Sequence, residues 1–247
     1  MQKFANKTIW IIGATDGIGK ALLQKIDDSI QAKFIISSRS EEKLQDIANQ
    51  LKNKAEIISF DVANFSEFEK AAKSALAYKP DFIIYLPAFY EPSLISDIAI
   101  SNLDKTIQIN LTAVFYLIRF VLPYLKDNSE CQSAITASVA GYIGLPKSQP
   151  YAASKAGVIN LVESLKAENP DLDIRLINPS FVKTKLTDKN NFKMTALLEP
   201  QQAADSIIKG LQSNKFEVHF TKKFTIILKL IASLPYKLYF KIVKKMI

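Results

Sequence analysis

The chain has 247 residues but only one cysteine, Cys131, and one histidine, His219. A single cysteine cannot close an internal disulfide, which fits a reducing compartment and a small packing role for Cys131 near the fifth strand. With no cluster of histidines and cysteines, a catalytic zinc centre is not expected. Acid is absent from one stretch. Residues 221–247 contain no Asp or Glu and seven lysines, so this segment carries +7 of the formal net charge of +8 and residues 1–220 carry +1. A near-neutral body argues against nucleic acid as a partner. There is no internal repeat and no low-complexity linker. The first strand pattern begins almost at once, so we expect no signal peptide and a cytoplasmic protein.

Seven short apolar runs alternate with stretches of helical periodicity: 9–12, 34–36, 56–60, 81–85, 133–136, 173–177 and 216–220. Strands that alternate with helices predict an α/β fold built on a parallel sheet. The length suits one such domain, at 1–220, followed by a helical tail at 221–247. The first run leads into Gly13-Ala-Thr-Asp-Gly17-Ile-Gly19 and then a helical pattern from Lys20. Strand, glycine loop and helix together make a phosphate cradle, because backbone N–H groups and the positive end of the helix can approach an anion. The spacing is G-x-x-x-G-x-G, not the commoner G-x-G-x-x-G. A glycine-rich turn with no ligand fits it equally well.

Tyr151 and Lys155 stand four residues apart, with Ser138 thirteen residues before the tyrosine. On a helix they share a face. A free phenol titrates near ~10 and exchanges protons poorly at neutral pH, whereas an adjacent ammonium favours the phenolate. Such a pair can give a proton to a carbonyl oxygen or take one from an alcohol. The spacing alone also describes ordinary helix-surface neighbours.

In combination these motifs resemble the short-chain dehydrogenase/reductase family over about residues 7–220. The resemblance implies a Rossmann-type doubly wound sheet, a nicotinamide dinucleotide and carbonyl/alcohol interconversion. It implies a catalytic set of Asn110, Ser138, Tyr151 and Lys155. In that set Tyr151 is the general acid or base. Lys155 lowers its pKa and bonds the nicotinamide ribose. Ser138 stabilises the substrate oxygen, and Asn110, inside a helical stretch at 103–124, holds a water in a proton relay. Cofactor contacts are implied at Gly13, Thr15, Gly17, Ile18 and Gly19, then at Arg39, Asp61, Val62 and Ala88. Tyr151, Lys155, Pro179, Val182 and Thr184 complete them. Asp61 is implied to contact adenine, and Asn178-Pro179-Ser-Phe-Val182-Lys-Thr184 to receive the carboxamide. The chain departs from the family at two places: Tyr85-Leu86-Pro87-Ala88 stands for Asn-Asn-Ala-Gly, and Ser180 stands for a glycine.

The second strand ends Ser37-Ser38-Arg39, with no carboxylate to bond a ribose 2′-hydroxyl. An arginine there suits a 2′-phosphate, so we expect NADP over NAD; Asp16 argues weakly for NAD. In the tail, Lys237, Lys241 and Lys244, with Lys245 close by, recur on one face. Leu238, Tyr239, Ile242, Val243 and Met246 take the other side. Phe224, Ile227, Leu228, Ile231 and Leu234 form an earlier stripe, and Pro235 separates two helices. Basic amphipathic helices bind anionic membrane surfaces. Lys229 and Pro235 interrupt the segment, so a span is not expected. The same stripes also fit packing on the body or on a second subunit.

The substrate pocket is expected beside Tyr151, roofed by 185–198 with Leu186, Phe192, Met194, Leu197 and Leu198, and walled by Gly141–Pro146. This predicts an apolar, lipid-like carbonyl or alcohol substrate. The alternative is a non-catalytic dinucleotide-binding sensor or scaffold. An epimerase or dehydratase of the extended family is disfavoured, because the further C-terminal substrate domain is missing. Family resemblance also implies a homo-oligomer through the helices at 103–124 and 151–166.

Overall fold

The computed structural model describes residues 1–190, 194 and 197–244. Phe192, Lys245 and Met246 lie outside the described residues. Seven strands form one sheet in the order β3-β2-β1-β4-β5-β6-β7, and every pairing is parallel. They are β1 (Thr8–Ile12), β2 (Lys33–Ser37), β3 (Ala55–Ile57), β4 (Phe82–Tyr85), β5 (Gln132–Thr136), β6 (Ile174–Asn178) and β7 (Glu217–His219). The helices are α1 (Gly17–Ser29), α2 (Glu41–Ala48), α3 (Phe65–Ala77), α4 (Ile100–Ile107), α5 (Ala113–Asp127), α6 (Tyr151–Glu168), α7 (Pro200–Leu211), α8 (Lys222–Ala232) and α9 (Tyr236–Val243). This is the doubly wound Rossmann-type architecture expected from the sequence.

β1 shows why the sheet is covered on both faces. Side chains alternate along a strand. Trp10 and Ile12 enter one apolar layer with residues of α3, α5 and α6, while Ile9 and Ile11 enter another with residues of α1, α2 and α7. All four are fully buried, so the run reads as continuous apolar sequence. The order reverses between β1 and β4, and a crevice opens there beyond the carboxyl ends of the strands.

Two boundaries differ from expectation. β3 ends at Ile57, short of Phe60. Its continuation still donates from Ile58 and Phe60 to the carbonyls of Ile36 and Ser38, but β2 has ended and the chain turns at Ser40 to cap α2. The helical stretch at 103–124 is not one regular helix. A π-turn, Gln108–Thr112, joins α4 to α5 and contains Asn110. Single π-turns commonly mark functional positions. Among the described residues, the run Ile100–Asp127 is the one helix long and apolar enough to cross a membrane by length and composition. Its buried side chains Ile109, Ala113, Val114, Leu117, Val121 and Leu125 belong to the core.

The tail is docked on the body. Leu228, Ile231 and Val243 are buried in a third apolar cluster with Val139 and Ile143. Ile227, placed by the sequence in the same stripe as Leu228, instead faces solvent at 53% exposure. Aliphatic residues occur almost all round α8, so periodicity does not select its inner face.

Candidate active site

The glycine loop takes its shape from positions that only glycine tolerates. Gly13 and Gly17 have φ of +89° and +49°, where a side chain is strained. A Cβ on Gly19 would stand 2.0 Å from the Gly13 carbonyl oxygen. Asp16 caps α1 by accepting from the Gly17 N–H at 2.8 Å, and it pairs with Lys185 at 2.6 Å. Its charge is therefore spent on the helix cap and on the loop above it. Pro87, at the altered Tyr85–Ala88 turn, lies against Gly13: its N and Cδ are 3.3 and 3.4 Å from where a Gly13 Cβ would stand. Tyr85 turns inward, fully buried, and donates to the Ile109 carbonyl at 3.4 Å. The departure thus fills space behind the crevice.

Two pockets sharing Asp16 and Ala88 run along the crevice. One is lined by Gly13, Thr15, Arg39, Asp61 and Val62. The other is lined by Gly17, Ile18, Gly19, Tyr151, Lys155, Pro179, Val182 and Thr184. Every cofactor contact expected from the sequence lies on this cleft. Asp61 is held rigidly: its N–H donates to Glu67 at 2.9 Å and its carboxylate accepts from Ala63 at 3.0 Å. The sequence reading missed Lys43, which lines the pocket beside Arg39, Ser38 and Ser40. The signal was available, since Lys43 follows the α2 cap Ser40 by three residues. A dinucleotide fits this cleft. Glycines remove side chains where phosphates would approach, cations stand at one end, and at the other the buried Thr136 Oγ1 has no partner among the described residues.

Ser138 follows β5, Tyr151 opens α6, and Lys155 sits one turn along. The surface-neighbour reading fails, because Lys155 is 1% exposed. Its Nζ donates to the Thr136 carbonyl at 3.1 Å and lies 5.8 Å from the centre of the Tyr151 ring. Burial without a counter-charge lowers its pKa to about 7. Burial pushes the Tyr151 phenol up to about 12; the hydrogen bond with Ser138 pulls it down, and the neighbouring Tyr90 pushes it up. The lowering expected from Lys155 is not among these influences. Tyr90 was missed by the sequence reading. Its ring meets Tyr151 edge-on at 4.9 Å, and its hydroxyl donates to Asn190 at 2.8 Å.

Asn110 stands behind the cleft and acts as a clamp. Its Oδ1 accepts from the Phe89 N–H at 2.7 Å, and its Nδ2 donates to the Phe89 carbonyl at 2.8 Å and to Ser154 Oγ at 3.1 Å. Both amide hydrogens are thus committed, and the side chain fixes the strand-to-loop segment that follows the altered turn.

A third pocket adjoins Tyr151 and Ser138. Leu186 and Leu145, both expected there, line it. Leu198 does not, because it pairs with the 181–183 segment, and Leu197 is 41% exposed. Met194 is held by Asn190 Nδ2 at 3.4 Å from its sulfur.

The chain matches the short chain dehydrogenase family model over residues 7–195. It belongs to the short-chain dehydrogenase/reductase family. An uncharacterized oxidoreductase of Staphylococcus epidermidis is 27% identical over 215 residues, covering 85% of this chain and 93% of the relative. One from Staphylococcus aureus is 28% identical over 220 residues, covering 87% and 95%. A short chain dehydrogenase from Burkholderia cenocepacia in complex with NADP superimposes with a TM-score of 0.84 at 18% identity, covering 97% and 98%. One from Burkholderia phymatum in complex with NAD gives 0.83 at 20% identity, covering 93% and 94%. Membership makes this chain an NAD(P)-dependent oxidoreductase.

Proposed function

We propose that this family member is an NADP-dependent enzyme interconverting a carbonyl and an alcohol on an apolar, lipid-like substrate at a membrane surface. One observation carries the reading. Ser138 and Tyr151 both line the dinucleotide cleft and the separate apolar pocket beside it. A substrate oxygen at that junction meets two hydroxyl donors. Ser138 stabilises the charge that develops on the oxygen. Tyr151 gives it a proton in reduction and removes one in oxidation. Lys155 holds the floor of the site through Thr136 and has further N–H groups to offer a ribose. Asn110 keeps the Phe89 segment in register. The dinucleotide, when bound, supplies or accepts the hydride.

Arg39 and Lys43, flanked by the Ser38 and Ser40 hydroxyls, support NADP, because cations and hydroxyl donors suit a phosphate where no carboxylate stands. Val139, Leu145, Phe181 and Leu186 make the substrate pocket largely apolar. Outside it, Ile226, Ile227 and Leu230 of α8 and Tyr236 and Phe240 of α9 are more than half exposed among the lysines of the tail. That surface suits an anionic bilayer and supports a peripheral, cytoplasmic-face location. Self-association runs through α5 and α6, where the aromatic Phe115 is half exposed.

The reading is tested by fluorescence titration of the protein with NADPH and NADH. NADPH should bind tighter, and Arg39→Asp should weaken it by tenfold or more, roughly the loss of one charge-assisted phosphate contact. Equal affinity for both dinucleotides removes the NADP assignment. Dinucleotide binding without turnover of any carbonyl or alcohol leaves the sensor or scaffold reading.

A further inference from the structure

We propose that α8 is the outer wall of the substrate pocket, and that Phe224 and Leu228 determine which carbonyl compounds fit. The inference rests on the oxidoreductase reading only for the bond that reacts. Phe224 and Leu228 line the pocket that contains Ser138 and Tyr151. Leu228 is fully buried, and the Phe224 ring lies 5.9 Å from that of Phe181 across the same pocket.

A wall must be fixed in register, and α8 carries a ladder for this purpose. Thr221, Thr225 and Lys229 are spaced one turn apart, so they line one side of the helix. Each meets a different part of the body. Thr221 Oγ1 and Ser180 Oγ share a hydrogen bond at 2.6 Å. Thr225 Oγ1 lies 2.6 Å from His219 Nδ1 and is fully buried. The Lys229 ammonium pairs with Glu217 and lies 5.0 Å from the centre of the Tyr142 ring. Glu217 also accepts from the Tyr142 phenol and from Asn178 Nδ2, the latter at 2.7 Å. One carboxylate therefore joins α8 to the segment after Ser138 and to the end of β6.

Two oddities acquire a purpose here. Ser180 stands where the family usually has glycine, and its hydroxyl is the first rung of the ladder. Thr221 has φ of +61°, an uncommon conformation for a β-branched residue that persists only when its surroundings impose it. The Ser180 bond supplies that constraint at the start of α8. α9 adds a second tie, where the Tyr239 hydroxyl accepts from the Gly144 N–H at 2.9 Å. Glu217 and Ser180 are thus positioning residues that act through α8.

The test uses the full chain with NADPH and two ketones, 2-butanone and 1-acetylnaphthalene. Phe224→Ala should raise the kcat/KM ratio of the bulky to the small ketone by about tenfold, and Phe224→Trp should lower it by about as much. A second arm does not depend on turnover. Phe224→Cys and Ile227→Cys are alkylated with N-ethylmaleimide in the presence of NADP. Saturating 1-acetylnaphthalene should slow alkylation at position 224 by about tenfold and leave position 227 unchanged. Glu217→Gln in the Phe224→Cys background should speed alkylation several-fold, and Lys229→Met should do the same. Ratios within about twofold of wild type in both Phe224 variants, or equal protection at the two cysteines, overturn the inference. Protection at 224 with no turnover of either ketone leaves the wall in place and defeats the proposed apolar-ketone substrate class instead.

Discussion

Replacing Lys155 by methionine should stabilise the cofactor-free protein at neutral pH and lose that advantage in alkali. The amine is buried and bonded to one carbonyl, with no counter-charge among its influences. Its pKa falls from the ordinary 10.5 to about 7. That displacement corresponds to about 5 kcal/mol, at about 1.4 kcal/mol per pKa unit. The sign follows from proton counting. Between pH 7 and 10.5 the unfolded chain holds the lysine proton and the folded chain does not, so stability rises with pH across this window. Below pH 7 the full penalty is present in the native protein. Methionine fills a similar volume without charge, but it leaves the Thr136 carbonyl unbonded, a loss of about 1 kcal/mol. Lys155→Met should therefore be more stable by about 4 kcal/mol at pH 6.5, with the gap closing by about 1.4 kcal/mol per pH unit above pH 7. Urea unfolding of both proteins between pH 6.5 and 9.5, without cofactor, measures it. The difference between the two proteins cancels the titration of other groups, and Tyr151 stays neutral throughout this range. Parallel stability curves would refute the claim that burial controls this lysine.

Three further outcomes follow from the geometry. Gly19→Ala would drive a methyl toward a carbonyl oxygen 2.0 Å away, so dinucleotide affinity in a fluorescence titration should drop by tenfold or more as the loop moves; unchanged affinity contradicts the loop assignment. Asn110→Ala removes three hydrogen bonds and orphans the Phe89 backbone; the urea midpoint should fall by an amount equivalent to about 3 kcal/mol, and an unchanged midpoint would mean that the clamp is idle. Cys131 is buried with its thiol pushed up to about 12, so iodoacetamide at pH 8 should label it only in the unfolded chain; rapid labelling of the native protein would contradict that burial.

The sheet was legible because parallel strands covered on both faces are written as unbroken apolar runs, and all seven appear within two or three residues of their expected limits. The cleft was legible because glycine spacing and the Tyr151–Lys155 interval are local features. Features made by long-range contact were not. The role of Asn110 depends on Phe89, which reaches it through a turn the sequence marks only as unusual. Tyr90 meets Tyr151 from 61 positions away. The tail was the least legible part. Ile226, Ile227, Leu228, Leu230 and Ile231 give α8 apolar residues on nearly every side, so outward-facing and core-facing sides cannot be separated by periodicity. The separation comes from Thr221, Thr225 and Lys229, polar residues whose partners lie on β7 and the loop after β6.

In the proposed reaction Tyr151 exchanges the proton with the substrate. Turnover of lipophilic ketones with NADPH, measured for the wild type and Tyr151→Phe alongside NADPH affinity, tests it directly. The substitution should cost about a thousandfold in kcat with NADPH affinity unchanged, since the phenol hydroxyl is removed and the ring retained. Turnover in Tyr151→Phe within a few-fold of wild type would contradict it.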